Sequence, residues 1–200
     1  MDYEIFISRK PADGREIKEI KGLPVITPVQ VHGADVFFVG RRTTRVPRAD
    51  ALITDNRELW IGVLTADCLP VFLIGEGAVG IVHAGWRGTL KGITFNAVSY
   101  MARFTRVKKA ILGVGICGSC YEVGQEVKRL FNREYEICFK EREGGKFLFD
   151  LKLANEIQLR AAGIENIENL ELCPFCKNEL YYSYRKERTE KRTLSAIRLL

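Results

Sequence analysis

Residues 78–88 read AVGIVHAGWRG, and this stretch carries the clearest structural pattern in the chain. The apolar run 78–82 predicts a buried strand that leads directly into His83 and a glycine-bearing turn. Apolar residues then recur at helical spacing, so we expect a helix over 89–104. Arg87 stands just before that helix, where a guanidinium and free backbone N–H groups favour an anion.

Further apolar runs extend the pattern in both directions from this stretch. The runs 59–64 and 71–74 predict two more buried strands, and 181–184 and 194–199 predict closing strands. The sequence has no repeat, linker or low-complexity segment. We therefore expect residues 1–200 to form a single mixed α/β domain.

Composition and charge exclude several classes of protein. Of the 200 residues, 46% are apolar and 28% charged, which argues against a disordered, collagen-like or coiled-coil chain. The net charge of +6 leaves nucleic-acid binding open as an alternative. Because the basic and aromatic residues form no known DNA- or RNA-binding module, we expect the protein to bind no specific nucleic acid. An attraction for phosphorylated small molecules or a solvated surface explains the charge as well.

The sequence also indicates a location. It has no apolar run of about 18 residues, so we expect no contact with a membrane. The N-terminal residues lack the basic and apolar regions of a secretory signal, which favours the cytoplasm. Six cysteines in such a protein are expected to be thiols or metal ligands.

Both histidines of the chain lie at the ends of apolar strands beside glycines, in QVHG (30–33) and HAGWRG (83–88). Between them, TADCLP (65–70) places a cysteine between two buried strands. Two imidazoles and a thiolate, from His32, His83 and Cys68, make a three-ligand zinc set with one position open for catalysis. Unrelated strand-end histidines with a core cysteine, or a Cys–His nucleophile pair, explain the same residues.

Two C-x-x-C pairs lie outside this group: Cys117 with Cys120, and Cys173 with Cys176. A structural metal site or disulfides, a redox dithiol and plain buried thiols are the alternatives for these four residues. The gap between the pairs is too long for a compact zinc ribbon, although tertiary folding can still join them. Cys138 is interpreted as a core residue.

The chain resembles the laccase-domain family, the bacterial YfiH-type group with human relatives, because its motifs stand in the same order as those of the family. The resemblance rests on QVHG (30–33), ADALIT (49–54), TADCLP (65–70), HAGWRG (83–88), CYEVG (120–124) and YSYR (182–185). It implies an α+β fold layered α-β-β-α with mixed sheets, similar to that of a toxin deamidase group. It further implies one zinc held by His32, Cys68 and His83, with copper as the other metal reported for the family.

The resemblance implies phosphorolysis of adenosine, inosine or methylthioadenosine to a free base and ribose 1-phosphate, with adenosine deamination as a further activity. Arg87 is the first candidate for binding phosphate and Arg185 the second. Tyr121 and Glu122 are candidates for a contact with the base, with helix capping or packing as the alternative. Asp67 is either the acid/base or a group that orients a ligand. The alternatives are a cysteine hydrolase acting through Cys68, related to peptidoglycan, and a copper polyphenol oxidase.

Overall fold

The structure is a computed structural model that describes residues 2–43, 45 and 48–200. The strands within these residues are β1 Tyr3–Ile7, β2 Glu19–Ile20, β3 Leu23–Ile26, β4 Val36–Phe38, β5 Ala51–Thr54, β6 Trp60–Thr65, β7 Leu69–Gly75, β8 Val79–Ala84, β9 Val107–Leu112, β10 Glu122–Gly124, β11 Phe139–Arg142, β12 Lys146–Phe149, β13 Ile167–Asn169 and β14 Thr193–Leu199. The helices are α1 Trp86–Leu90, α2 Ile93–Met101, α3 Gln125–Lys128, α4 Leu151–Ala161 and α5 Tyr184–Glu187, with 3₁₀ turns at Arg133–Cys138 and Glu143–Gly145. None of these helices is long and apolar enough to cross a membrane.

Two large mixed sheets form the centre of the molecule. One has the strand order β1-β14-β6-β3-β2, and the other β13-β9-β7-β8-β5-β4. Most neighbours are antiparallel, but β3 runs parallel to β6, β4 to β5 and β13 to β9. A third, antiparallel sheet, β10-β12-β11, lies beside them.

The core forms in layers because each large sheet buries apolar side chains on both faces. Ile61, Phe72 and Ile197 belong to the cluster that joins the two large sheets. The other face of the six-stranded sheet packs against α2 and α4. On the outer face of the five-stranded sheet, fully buried Trp60 donates its indole N–H to the carbonyl of Ile20 at 3.2 Å. The predicted α+β class with mixed sheets is confirmed.

Residues 79–101, which include most of the stretch 78–88, fold as a strand, a turn and two helices. Strand β8 extends to Ala84 and α1 begins at once at Trp86, earlier than the single helix predicted over 89–104. The helical run is interrupted before α2, where Gly92 has a φ of 77°. This left-handed conformation costs glycine little, so the chain changes direction there.

The predicted strand 181–184 is wrong, whereas the strand predicted at 194–199 is confirmed as β14. Ser183 caps α5 instead, since its hydroxyl oxygen accepts the backbone N–H of Lys186 at 3.2 Å. Serine at such a position satisfies an otherwise unpaired N–H and favours a helix start over a strand.

Candidate metal centre and active site

Three segments distant in sequence meet at one end of the six-stranded sheet. Their donor atoms, from His32, Cys68 and His83, all lie within 4.8 Å of one another. The Sγ atom of Cys68 is 4.0 Å from Nε2 of His32, and the two imidazole rings meet edge to face with centroids 4.8 Å apart. The antiparallel pairing of β7 with β8 sets Leu69 opposite Ala84, which brings Cys68 to the turn that follows His83. The structure thus brings the three predicted ligand residues together.

A buried carboxylate, Asp50, organises this group. Its Oδ1 lies 2.8 Å from Nδ1 of His83, so Nε2 is the ring nitrogen left for a ligand. The same carboxylate accepts the backbone N–H groups of Val31, His32 and Gly33 at 3.3, 3.0 and 2.7 Å. These bonds hold His32 in a left-handed conformation with a φ of 55°.

The sequence alone gives Asp50 no role, although this residue lies in the motif ADALIT (49–54). The available signal was a carboxylate directly before the apolar strand β5, inside one of the family motifs. An acidic residue that is 0% exposed must be paired to remain charged, and Asp50 is paired with His83.

The charges of the three groups support one another. Burial raises the pKa of Cys68, but the imidazoles of His83 and His32 outweigh it and lower that pKa to about 6. Burial lowers the pKa of His83, yet the sulfur of Cys68 and the carboxylate of Asp50 raise it to about 9. The thiolate is the form that ligates metals and attacks electrophiles, so this arrangement suits either chemistry.

Gly85 allows the backbone to approach the candidate ligands closely. A Cβ at this position would lie 2.9 Å from Sγ of Cys68 and 3.1 Å from Cδ2 of His32. Atoms in van der Waals contact normally stand farther apart than these distances, so a side chain here would displace Cys68 or His32. The turn after β8 therefore needs glycine for space.

The three residues open onto a cavity of about 620 Å³. Its wall combines aromatic rings with positive charge, supplied by Trp86, Tyr121, Tyr184, Arg15, Arg87, Arg185 and Arg192. The guanidinium of Arg87 stands 4.4 Å from the ring centroid of Trp86, and that of Arg185 5.4 Å from that of Tyr121. The sequence does not predict Arg15 and Arg192 as site residues, because the N-terminal segment and the residue before β14 reach the cavity only in the folded chain.

Asp67 also lines this cavity, but both of its carboxylate oxygens are already used. One accepts the hydroxyl of Ser183 at 2.6 Å and the other the backbone N–H of Arg185 at 2.7 Å. Burial is the largest influence on this carboxyl and raises its pKa. Asp67 thereby fixes the start of α5 and the place of Arg185 at the cavity.

Comparisons with known proteins agree with this architecture. Residues 13–200 match the family model described as multi-copper polyphenol oxidoreductase laccase. The chain is 37% identical over 177 residues to a purine nucleoside phosphorylase of Aquifex aeolicus, covering 88% of this chain and 83% of the relative. It is 33% identical over 183 residues to adenosine deaminase RL5 of an unknown prokaryotic organism, covering 81% and 70%. The crystal structure of the hypothetical protein YfiH of Bacillus licheniformis superimposes with a TM-score of 0.81 at 29% identity, covering 88% and 74%.

Proposed function

The chain belongs to the multi-copper polyphenol oxidoreductase laccase family, and on this premise we propose that it is a zinc-dependent purine nucleoside phosphorylase. The observation that carries the proposal is the cavity, in which a cluster of thiolate and imidazole donors faces four arginines and three aromatic rings. Arginines suit phosphate, and aromatic rings suit a purine. Relatives named purine nucleoside phosphorylase and adenosine deaminase support an enzyme of this kind.

The donor set fits zinc. A zinc ion that held a sulfur at about 2.3 Å and a nitrogen at about 2.0 Å in tetrahedral geometry would separate the two atoms by about 3.5 Å. The distance from Sγ of Cys68 to Nε2 of His32 is 4.0 Å, so a small movement of the side chains suffices. Three protein ligands leave one position open, and a bound zinc ion then supplies a Lewis acid. Multi-copper centres draw on many histidines, whereas this chain has two.

In the proposed reaction, the bond between C1′ of the ribose and the base nitrogen breaks, and a phosphate oxygen bonds to C1′. The base leaves with a proton on its nitrogen, and this proton is balanced by the one that hydrogen phosphate loses when its oxygen bonds to C1′. Arg87 and Arg185 bind the phosphate, since both line the cavity and stand on aromatic rings that limit their motion. Tyr121 faces the base, and burial raises the pKa of its phenol, which keeps the hydroxyl protonated as a donor.

Asp67 acts in this scheme as a positioning residue. Its two oxygens hold Ser183 and the backbone of Arg185, so the carboxylate sets where the guanidinium of Arg185 stands. This arrangement supports a role in positioning Arg185, in place of the two expected roles of acid/base and of a group that orients a metal ligand, because both oxygens already accept short hydrogen bonds from Ser183 and Arg185.

The direct test is base release from inosine and adenosine, measured with and without phosphate on protein of known zinc content. We expect free base and ribose 1-phosphate to appear only with phosphate, and removal of zinc by a chelator to stop both. Chromatography of the same samples separates deaminated products. Turnover that ignores both phosphate and zinc would contradict the proposal.

Arg87→Ala is expected to raise KM for phosphate about 10- to 100-fold, the range set by losing a charged hydrogen bond. KM for the nucleoside should change much less, because the guanidinium is assigned to the anion. Initial rates over a phosphate series check this result. Arg57→Ala is the matched control, since Arg57 is exposed in a turn outside the cavity. Equal effects of the two variants would remove Arg87 from the phosphate site.

A cysteine hydrolase is the second candidate, and the contact between Cys68 and His32 favours it. The 4.0 Å between Sγ and Nε2 suits a nucleophile beside its base. Protein free of zinc, alkylated rapidly at Cys68 and active on amides or esters without phosphate, would support this alternative.

A further inference from the structure

A second cysteine cluster lies outside the cavity. The four sulfur atoms of Cys117, Cys120, Cys173 and Cys176 all lie within 4.8 Å of one another. The Sγ of Cys176 is 3.9 Å from that of Cys117 and 3.5 Å from that of Cys120. All four are free thiols in the structure. The two C-x-x-C pairs, 56 residues apart, therefore meet in space.

Parallel pairing of the preceding segments produces this meeting. Strand β13 runs parallel to β9, with Asn169 opposite Leu112. The segments continue side by side, because the N–H of Gly115 donates to the carbonyl of Leu172 at 3.2 Å. Each pair then closes a tight turn, with Cys120 N–H bonded to Cys117 O at 3.0 Å and Lys177 N–H to Cys173 O at 2.8 Å. Both turns thus end at the same edge of the sheet.

The geometry points to a structural zinc ion bound by Cys117, Cys120, Cys173 and Cys176. Four sulfurs at about 2.3 Å from one tetrahedral zinc lie about 3.8 Å from each other, which agrees with the measured 3.5 and 3.9 Å. A disulfide needs a distance of about 2.05 Å between its two sulfur atoms. The sulfur of Cys176 would therefore have to move more than 1 Å closer to that of Cys117 or Cys120 to form one. Because four protein ligands close the coordination sphere, the site is structural and holds no reactive water.

The surroundings fit a centre with net negative charge. The Sγ of Cys173 accepts the backbone N–H of Cys117 at 3.4 Å, a bond that stabilises thiolate. Buried Lys152 lies beside the cluster, with its ammonium fixed on Asn169 Oδ1 and Leu172 O at 3.1 Å each.

The zinc ion would tie down two parts of the cavity wall. Cys120 directly precedes Tyr121, which lines the cavity. The turn that contains Cys176 contacts α5, because Lys186 Nζ donates to the carbonyl of Phe175 at 3.0 Å and lies over its ring. Helix α5 carries Arg185. The ion therefore joins the two segments that face the substrate, whatever that substrate is.

The test is metal analysis in a Cys68→Ala background, where the first donor set is broken. We expect one zinc per chain to remain, and to be lost when Cys173→Ser and Cys176→Ser are added. Cys138→Ser is the matched control and should keep the ion, since Cys138 lies outside both groups of donors. This result does not depend on phosphorylase activity, so the two proposals fail separately.

Cobalt titration of demetallated, reduced Cys68→Ala protein covers the case in which the serine variants do not fold. A tetrahedral tetrathiolate spectrum at one equivalent supports the site. Titration of all five remaining cysteines as free thiols, in protein that binds neither cobalt nor zinc, would overturn the proposal. An intact mass lower by two hydrogens per cysteine pair would show disulfides and would also overturn the proposal. Stoichiometric iron in the purified protein would overturn the assignment of zinc.

Discussion

Cys68→Ala is expected to lower kcat/KM for phosphate-dependent base release by at least about 100-fold and to remove one equivalent of zinc. Mutation of a residue that only orients a metal ligand already lowers metal affinity or activity about 10- to 100-fold. Loss of a direct ligand should lower them at least as much. Cys68 supplies the one sulfur among the three donors. Zinc analysis and steady-state kinetics on one preparation check both effects.

Cys138→Ala provides the comparison for this variant. Cys138 is buried but belongs to neither group of candidate ligands, so its loss should change packing and leave zinc and turnover in place. If Cys68→Ala retained its zinc but lost activity, Cys68 would be a nucleophile and the cysteine hydrolase would become the leading function. Retention of both would show that the cluster is unrelated to catalysis.

Asp50→Asn is expected to have the largest effect on stability, lowering the free energy of unfolding by about 3 kcal/mol. The carboxylate pairs with His83 in the core, and its two oxygens accept three consecutive backbone N–H groups. In the amide, the NH₂ group would face at least one of these N–H donors in either orientation. Zinc affinity should fall about 10- to 100-fold as well, because His83 loses its orienting partner. Denaturant unfolding of metal-free protein and zinc competition titration measure the two effects.

Asp55→Asn is the control, since Asp55 is an exposed carboxylate just after the same strand, β5. Its unfolding free energy and zinc affinity should match those of the parent protein. An Asp50→Asn variant as stable as this control, with unchanged zinc affinity, would contradict the role assigned to Asp50.

Part of the candidate site could be predicted because its chemistry is local. His32, Cys68 and His83 each follow or interrupt an apolar run, and polar side chains at strand ends commonly meet at a rim. Asp50 could not be assigned, because its role depends on a hydrogen bond to a residue 33 positions away. The role of Asp67 could not be decided from the sequence for the same reason, since its partners Ser183 and Arg185 lie more than a hundred residues later.

The apolar patterns of the sequence predict a mixed α/β domain, and they predict the strand at 78–82 and the helix at 89–104 with ends that differ from those of the structure. The side-chain types show which donors are available for a metal. These features follow from periodicity and side-chain chemistry, which act over a few residues. The tertiary structure brings four arginines to one cavity, makes Ser183 the cap of α5 in place of a strand over 181–184, and joins the two C-x-x-C pairs. Strand pairing sets those distances, and no local pattern reports which strands will lie side by side.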